Sequence, residues 1–408
     1  MHRVRLCTLV VLLLAGTHAA LLPLTTPAAA GAPAAATDDG QAASPHPPVL
    51  SATDLGLVRQ HHSISGRDGA ISAAVDGRSV WTFGDTPLWV PNADGEQWVD
   101  NSLAWTADLD ASDGITLEGN LLDATGVRAE FVPYLPRELA YNDAHDPDDC
   151  QEAPCGAEFA FWPGNLVPDP DRDRVLVFYY ELWRSPTIAG WRGVGTGIGV
   201  WDGEGPVLDA ASATPTLMWD RDEVAYDNAA LVVGDDLYAY GCELVWIEHR
   251  CRVARVPLAD ALDKSAWRYY TNRGTWSAAP QAAVPLFVGG AAGTSVFYVP
   301  YLDAYLAIYS AIFSDDVVYR VAPQPWGPWS DAAHLFTGRP GWNGTNNYTG
   351  HAHPEFAEDG GRVQYVTYAH ATGFLRQDLP LVRVVFGNRP TEQSHMVATK
   401  GRPPLPPR

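Results

Sequence analysis

The chain has 408 residues and a formal charge of -21 at pH 7, with 46% hydrophobic residues and 15 tryptophans. Acid in such excess disfavours nucleic acid and anionic membranes as partners, so a neutral substrate fits better. The length suits one large domain of roughly 340 residues between two unfolded ends.

Residues 1–30 read as an export signal. Arg3 and Arg5 supply the positive start and Leu6 to Leu14 a short apolar run, with cleavage after Thr17-His18-Ala19 or Ala28-Ala29-Ala30. The run falls short of the ~20 residues of a membrane span, and no later segment supplies one. Residues 31–50 are rich in Ala, Pro, Ser and Asp and read as a linker that buries too little surface to fold. Residues 51–390 are the expected folded domain, and the Pro-rich 391–408 an unfolded tail. The expectation is a secreted, monomeric protein with no membrane span.

Short runs of Val, Ile, Tyr, Trp and Phe separated by turn residues read as strands. Leu258 to Lys264 is one short helical candidate. Five segments share a plan of polar start, apolar strand, tight turn and second apolar strand. The first runs from Asp68 through Asp76-Gly77 to Asp85, and the second from near Asn165 through Asp171-Arg172-Asp173 to Glu181. The third runs from Asp227-Asn228 through Gly234-Asp235 to Glu243, and the fourth from Gly293-Thr294 through Leu302-Asp303 to Ser310. The fifth runs from His353-Pro354-Glu355 through Glu358 to Gly361 and on to His370. The last four turns recur about every 60 residues, the size of a four-stranded blade with its loops. The longer gap after the first hairpin implies an insertion in or beside blade one. The expected fold is all-β, a five-bladed β-propeller.

Four cysteines follow the signal, as Cys150 and Cys155 and as Cys242 and Cys251. An even number in an exported chain suggests two local disulfides, though spacing alone leaves the connectivity open. Neither spacing is that of a zinc knuckle.

Asp76-Gly77 is a strong two-residue hairpin signal, because both positions of such a turn need positive φ. Val75 and Arg78 then close the turn, and Asp68 and Asp85 lie equally far from it. Without a bulge they oppose each other, with Cβ atoms about 4.5–5.5 Å apart. Like charges so placed raise one pKa and make an acid and a base from one residue type. A separation of about 5 Å suits a retaining glycosidase. The bland reading is that Asp68 caps a loop while Asp85 bonds turn amides.

Ser65 to Gly69 and Asp76 to Thr86, ending in Phe83-Gly84-Asp85-Thr86, resemble the opening of a secreted bacterial family catalogued as domain of unknown function 4185. Some members are endo-D-arabinanases that cut mycobacterial arabinan. The resemblance implies a five-bladed propeller with Asp68 and Asp85 as the catalytic pair. Inverting furanosidase propellers are a poorer match: they carry acids on blades one, two and three, whereas Asn165 stands at the blade-two position. Glu243 and Asp227 remain candidates on blade three.

Hairpin-end counting adds other polar groups to the same mouth. Asn165 and Glu181 flank the second turn, Asp227 falls near Cys242, and Glu243 near Tyr226. His351, His353, Glu355 and His370 mark the ends of the fifth hairpin. His351-Ala352-His353 puts two imidazoles on one strand face, a spacing that can hold a metal. Binding of sugar hydroxyls or simple packing is preferred there, and no metal or cofactor is expected. Trp89, Trp98, Trp162, Trp183, Trp191 and Trp342 lie in or beside loops, where indole faces can stack on sugars. The expected function is hydrolysis of a furanoside polysaccharide, D-arabinan being the case the resemblance suggests. A non-catalytic carbohydrate-binding propeller and a cell-surface partner-binding module are the alternatives.

Overall fold

The computed structural model describes residues 46–388, apart from 93–94, 96, 123–125, 128, 187–190, 208–216, 291 and 374–375. The expected signal, most of the linker and the tail lie outside the described residues. The protein is a five-bladed β-propeller whose blades are antiparallel sheets. Blade one is Ile71–Val75, Arg78–Phe83, Ser102–Thr106 and Gly119–Asn120; blade two is Glu158–Asp169, Arg174–Arg184, Trp191–Trp201 and Trp219–Asp220. Blade three begins Ala229–Val233, Asp236–Val245, Glu248–Pro257; blade four is Ser295–Val299, Ala304–Ser310, Asp316–Ala322 and Ala333–Thr337. Blade five takes Tyr348–Ala352, Val363–Gly373 and Pro380–Phe386 from the chain's end, and its outermost strand, Val49–Leu57, from its beginning. That last pairing closes the ring. It starts within the expected linker, and nothing in local sequence marks its partner.

Five apolar clusters fill the spaces between neighbouring blades. Between blades five and one, Trp81 and Phe83 pack with Tyr365 and Leu381; between one and two, Val80 and Leu103 pack with Phe161 and Val177. Alternation places successive side chains on opposite faces of a strand, so each blade feeds two such cores.

The first turn forms as expected: Asp76 and Gly77 have φ of 49° and 75°, and Val75 faces Arg78. Gly234-Asp235 is also a two-residue turn, Val233 facing Asp236. Blades two and four instead turn through short 3-10 segments, Pro170–Arg172 and Pro300–Leu302, each closed by a left-handed aspartate, Asp173 and Asp303. This longer turn changes the register of blade two. Glu181 faces Phe161, and Asn165 sits in an irregularity between Pro163 and Leu166, so Asn165 and Glu181 do not oppose each other. The fifth hairpin also differs from expectation. Its inner strand is Tyr348–Ala352, while His353 and the 3-10 segment Pro354–Phe356 follow that strand. Pro354 has no N–H to donate to a ladder and ends the strand.

The α-helix is Pro136–Ala144, inside the insertion after blade one, with Pro at its start and Glu138 in its first turn. Leu258 to Lys264 is not an α-helix; it holds the 3-10 segment Leu258–Asp260 and the start of another, Lys264–Ala266. Cys150 is bonded to Cys155 and Cys242 to Cys251, settling the connectivity. Both disulfides fit an oxidising compartment. Among the described residues no helix is long and apolar enough to cross a membrane.

Candidate functional site

Inner strands start at one end of the ring, and the connections from second to third strands return to that end. Both aspartates of the first hairpin stand there. Beyond the last ladder pair, Ile71 with Thr82, the Asp68 N–H donates to the Asp85 carbonyl at 2.9 Å and the Gly84 N–H to the Asp68 carbonyl at 2.8 Å. Two residues face one, which is a bulge. The plain opposition expected of Asp68 and Asp85 is therefore broken: Asp68 meets Gly84 and Asp85 together, and the two aspartates stay adjacent through the backbone bond between them. Gly84 packs closely under Trp162, where an added Cβ would stand 3.3 Å from Cδ1 and the indole would have to give by a few tenths of an ångström. Thr86 fixes the turn from the other side, donating to the Gly84 carbonyl at 2.9 Å and bonding Ser102 Oγ at 2.8 Å.

Asp85 is 3% exposed, and its neighbours are donors. Arg184 Nη1 donates to Oδ1 at 3.0 Å and to Oδ2 at 3.2 Å. The indole N–H groups of Trp98 and Trp162 donate to Oδ1 at 3.2 and 3.3 Å. Oδ1 is thus shared among three donors while Oδ2 meets only the guanidinium. This is the setting of a carboxylate that acts as an acceptor.

Asp68 lies in different surroundings and keeps part of its surface open to solvent. The Tyr348 hydroxyl donates to it, and Gln377 Nε2 donates in turn to Tyr348 Oη at 3.1 Å. Burial, followed by the neighbouring charge of Asp85, pushes the Asp68 carboxyl up to about 7.

Arg184 ties the centre together. Its side chain is 8% exposed and forks to three carboxyl groups: Asp85, Asp100 through Nη2, and Glu158 Oε1 at 2.6 Å through Nε. The Tyr134 hydroxyl donates to Asp100. Asp100 is held above the usual carboxylate range by burial, with Glu158 and Asp85 adding to the rise against the pull of Arg184. One buried cation therefore serves several acids.

Trp162, expected in or beside a loop, lies inside the strand Glu158–Asp169 and directs its indole N–H to Asp85. Asn165 Nδ2 donates to the Asp227 carbonyl at 2.8 Å, joining the starts of blades two and three, and burial pushes the Asp227 carboxyl up to about 6. Glu181 is buried beside Glu138 and the Arg137 guanidinium of the α-helix. Glu243 is exposed on the long hairpin of blade three and pairs with Arg252 at 2.8 Å. His353 and Glu355 belong to the seam between blades five and one. His353 stacks on Trp81 with ring centroids 4.0 Å apart, and Ser72 bonds both His353 Nδ1 at 2.6 Å and Glu355 at 2.5 Å. His370 faces the Pro340 carbonyl at 3.1 Å, and Trp89 carries the Arg376 guanidinium 4.6 Å from its ring centroid. His351 bonds the Gly293 carbonyl at 2.8 Å, and burial pushes its imidazole down to about 4. Among the described residues no group of three or more His, Cys, Asp or Glu side chains is set to hold a metal ion.

The family model described as a domain of unknown function, DUF4185, matches residues 48–372. The chain belongs to this family. No curated protein matches it. A crystal structure of a protein from Bacteroides ovatus ATCC 8483 superposes with a TM-score of 0.56 at 16% identity, covering 86% of this chain and 90% of that one. That likeness shows the shared fold. A family 117 glycoside hydrolase from Zobellia galactanivorans gives a TM-score of 0.47 at 12% identity, over 87% of this chain and 98% of that one. The endo-arabinase of Bacteroides thetaiotaomicron gives 0.44 at 12% identity, over 81% and 99%.

Hairpin counting within this DUF4185 chain did not find Asp100, Tyr134, Glu158, Arg184, Tyr348 or Gln377. Asp100 and Tyr134 come from long connections, and Tyr348 and Gln377 from the far side of the ring seam. Arg184 had one legible signal. It ends the second strand of blade two, directly opposite Glu158 at the start of the first.

Proposed function

We propose that the protein is an exported glycoside hydrolase that cuts a furanoside polysaccharide, with D-arabinan the first candidate. The observation that carries this reading is two adjacent aspartates in opposite surroundings. Asp85 is gripped by a guanidinium and two indole donors, while the Asp68 carboxyl is pushed up to about 7. A carboxyl with a raised pKa beside a second carboxyl set among donors suits the division of labour that glycoside cleavage needs.

In the proposed reaction the protonated Asp68 gives its proton to the glycosidic oxygen as the bond from that oxygen to the anomeric carbon breaks. Asp85 Oδ2, the less encumbered oxygen, bonds to the anomeric carbon. Asp68, now a carboxylate, takes a proton from water, whose oxygen displaces Asp85 and restores both groups. The retaining course is proposed on two carboxyl groups near enough for the charge of Asp85 to raise Asp68. Tyr348 and Gln377 orient Asp68, and Arg184 offsets charge around Asp85. The two disulfides support an exported protein, and the acidic surface suits a neutral polymer. Arabinan itself is suggested by the family resemblance of the first hairpin.

The test is release of sugars from D-arabinan, arabinoxylan and fructan by wild type, Asp68→Asn and Asp85→Asn. Product from wild type and its loss in both variants is expected. A wild type that binds a glycan and releases nothing would make it a carbohydrate-binding propeller instead.

A further inference from the structure

Beside Asp85 an aromatic surface runs outward along blade two. Trp191 opens the third strand directly opposite Arg184, the residue that holds Asp85. Trp191 is 48% exposed, and the Trp162 and Tyr180 rings meet its ring in T-shaped contacts at centroid distances of 5.5 and 5.7 Å, both at 78°. Trp162 in turn donates to Asp85 at 3.3 Å. About half of a large aromatic side chain is therefore left open to water one ring away from the proposed nucleophile, held by two neighbouring rings.

Polar groups border the same face. The half-buried Tyr180 lies across Gly193, where a Cβ would stand 1.9 Å from the tyrosine oxygen, so only glycine admits this pose. Tyr180 feels the charge of Asp227, which raises its hydroxyl above the usual range after burial, up to about 12. Asp227, half-buried as a residue, stands at the start of blade three. An exposed ring face flanked by a hydroxyl and a carboxyl is the chemistry that recognises a sugar: C–H groups lie on the ring, and hydroxyls bond the rim.

We propose that Trp191, with Tyr180 and Asp227, forms a binding subsite for a sugar unit of the polysaccharide next to the one attacked. The subsite makes the site favour polymer over short glycosides, because each bound unit beyond the cleaved one adds contact. The inference rests on the hydrolase reading only for the position of the cut.

The test uses the full chain carrying Asp85→Asn, with affinity electrophoresis in gels containing D-arabinan, arabinoxylan or fructan. Adding Trp191→Ala is expected to weaken binding about tenfold. Trp191→Phe recovers most of the affinity, and Gly193→Ala, which displaces Tyr180, weakens it about threefold. Tyr298→Ala, at the opposite end of the ring, leaves it unchanged. Unaltered binding in Trp191→Ala overturns the subsite, as does a parent that no polysaccharide retards. Sugar release by the wild type is measured separately. A polymer that is bound through Trp191 but never cut refutes the hydrolase reading and leaves the subsite standing.

Discussion

Replacing Asp68 by Asn separates its proton-donating role from mere occupancy of the mouth. Asn keeps the shape and the acceptor that Tyr348 bonds, but it cannot give a proton. General acid assistance is worth about 10²–10⁴-fold, so kcat on a polymer with a poor leaving group should fall by that factor. An aryl glycoside of the same oligosaccharide needs no protonation to leave, and its glycosylation step should fall less than about tenfold. The pH profile supplies a second reading. With the Asp68 carboxyl pushed up to about 7, kcat/KM of wild type on polymer declines as pH rises through that value and the proton is lost. In Asp68→Asn that alkaline limb disappears from the residual activity. Both are measured by reducing-sugar release and aryl-alcohol absorbance between pH 4 and 9. Equal losses on both substrates, with the alkaline limb intact, would refute Asp68 as the acid.

Arg184→Met leaves two buried acids, Asp85 and Asp100, and the half-buried Glu158 without their shared cation, and such a break costs about 3–5 kcal/mol. Calorimetry should show a thermal midpoint lower by about 10 °C, and Arg184→Lys, which cannot fork, should recover only part of it. Glu181 is 1% exposed, and burial, followed by Glu138, pushes its carboxyl from 4.5 up to about 7. Because the folded value lies above the unfolded one, the stability of the neutral form is complete below about pH 4.5 and is lost as pH rises through about 7. Glu181→Gln should therefore match wild type at pH 4 and exceed it at pH 8 by up to about 3 kcal/mol in denaturant melts. Deleting residues 46–57 removes the strand that pairs along Pro380–Phe386 and closes the ring. Loss of the cooperative near-ultraviolet melt is expected, and a native-like melt would show that closure is dispensable.

Sequence by itself carried the propeller and the pair at its mouth, because both rest on local rules. Strand alternation and turn residues repeat within each hairpin, and Asp76-Gly77 needs positive φ at both positions, which sets the spacing of Asp68 and Asp85. Cys150 with Cys155 and Cys242 with Cys251 were local enough to suggest two bridges. Where a turn lengthened, as at Pro170–Arg172, the counting failed and separated Asn165 from Glu181. Groups joined only through the closed ring were hidden. Val49–Leu57 finds its partner more than 300 residues away, His353 proves to be seam packing against Trp81, and Tyr348 reaches Asp68 across that seam. The surroundings that distinguish two chemically identical aspartates are likewise tertiary. Arg184, Trp98 and Trp162 converge on Asp85 from distant points of the chain, and only folding surrounds one aspartate with donors while burial and the charge of that neighbour raise the carboxyl of the other.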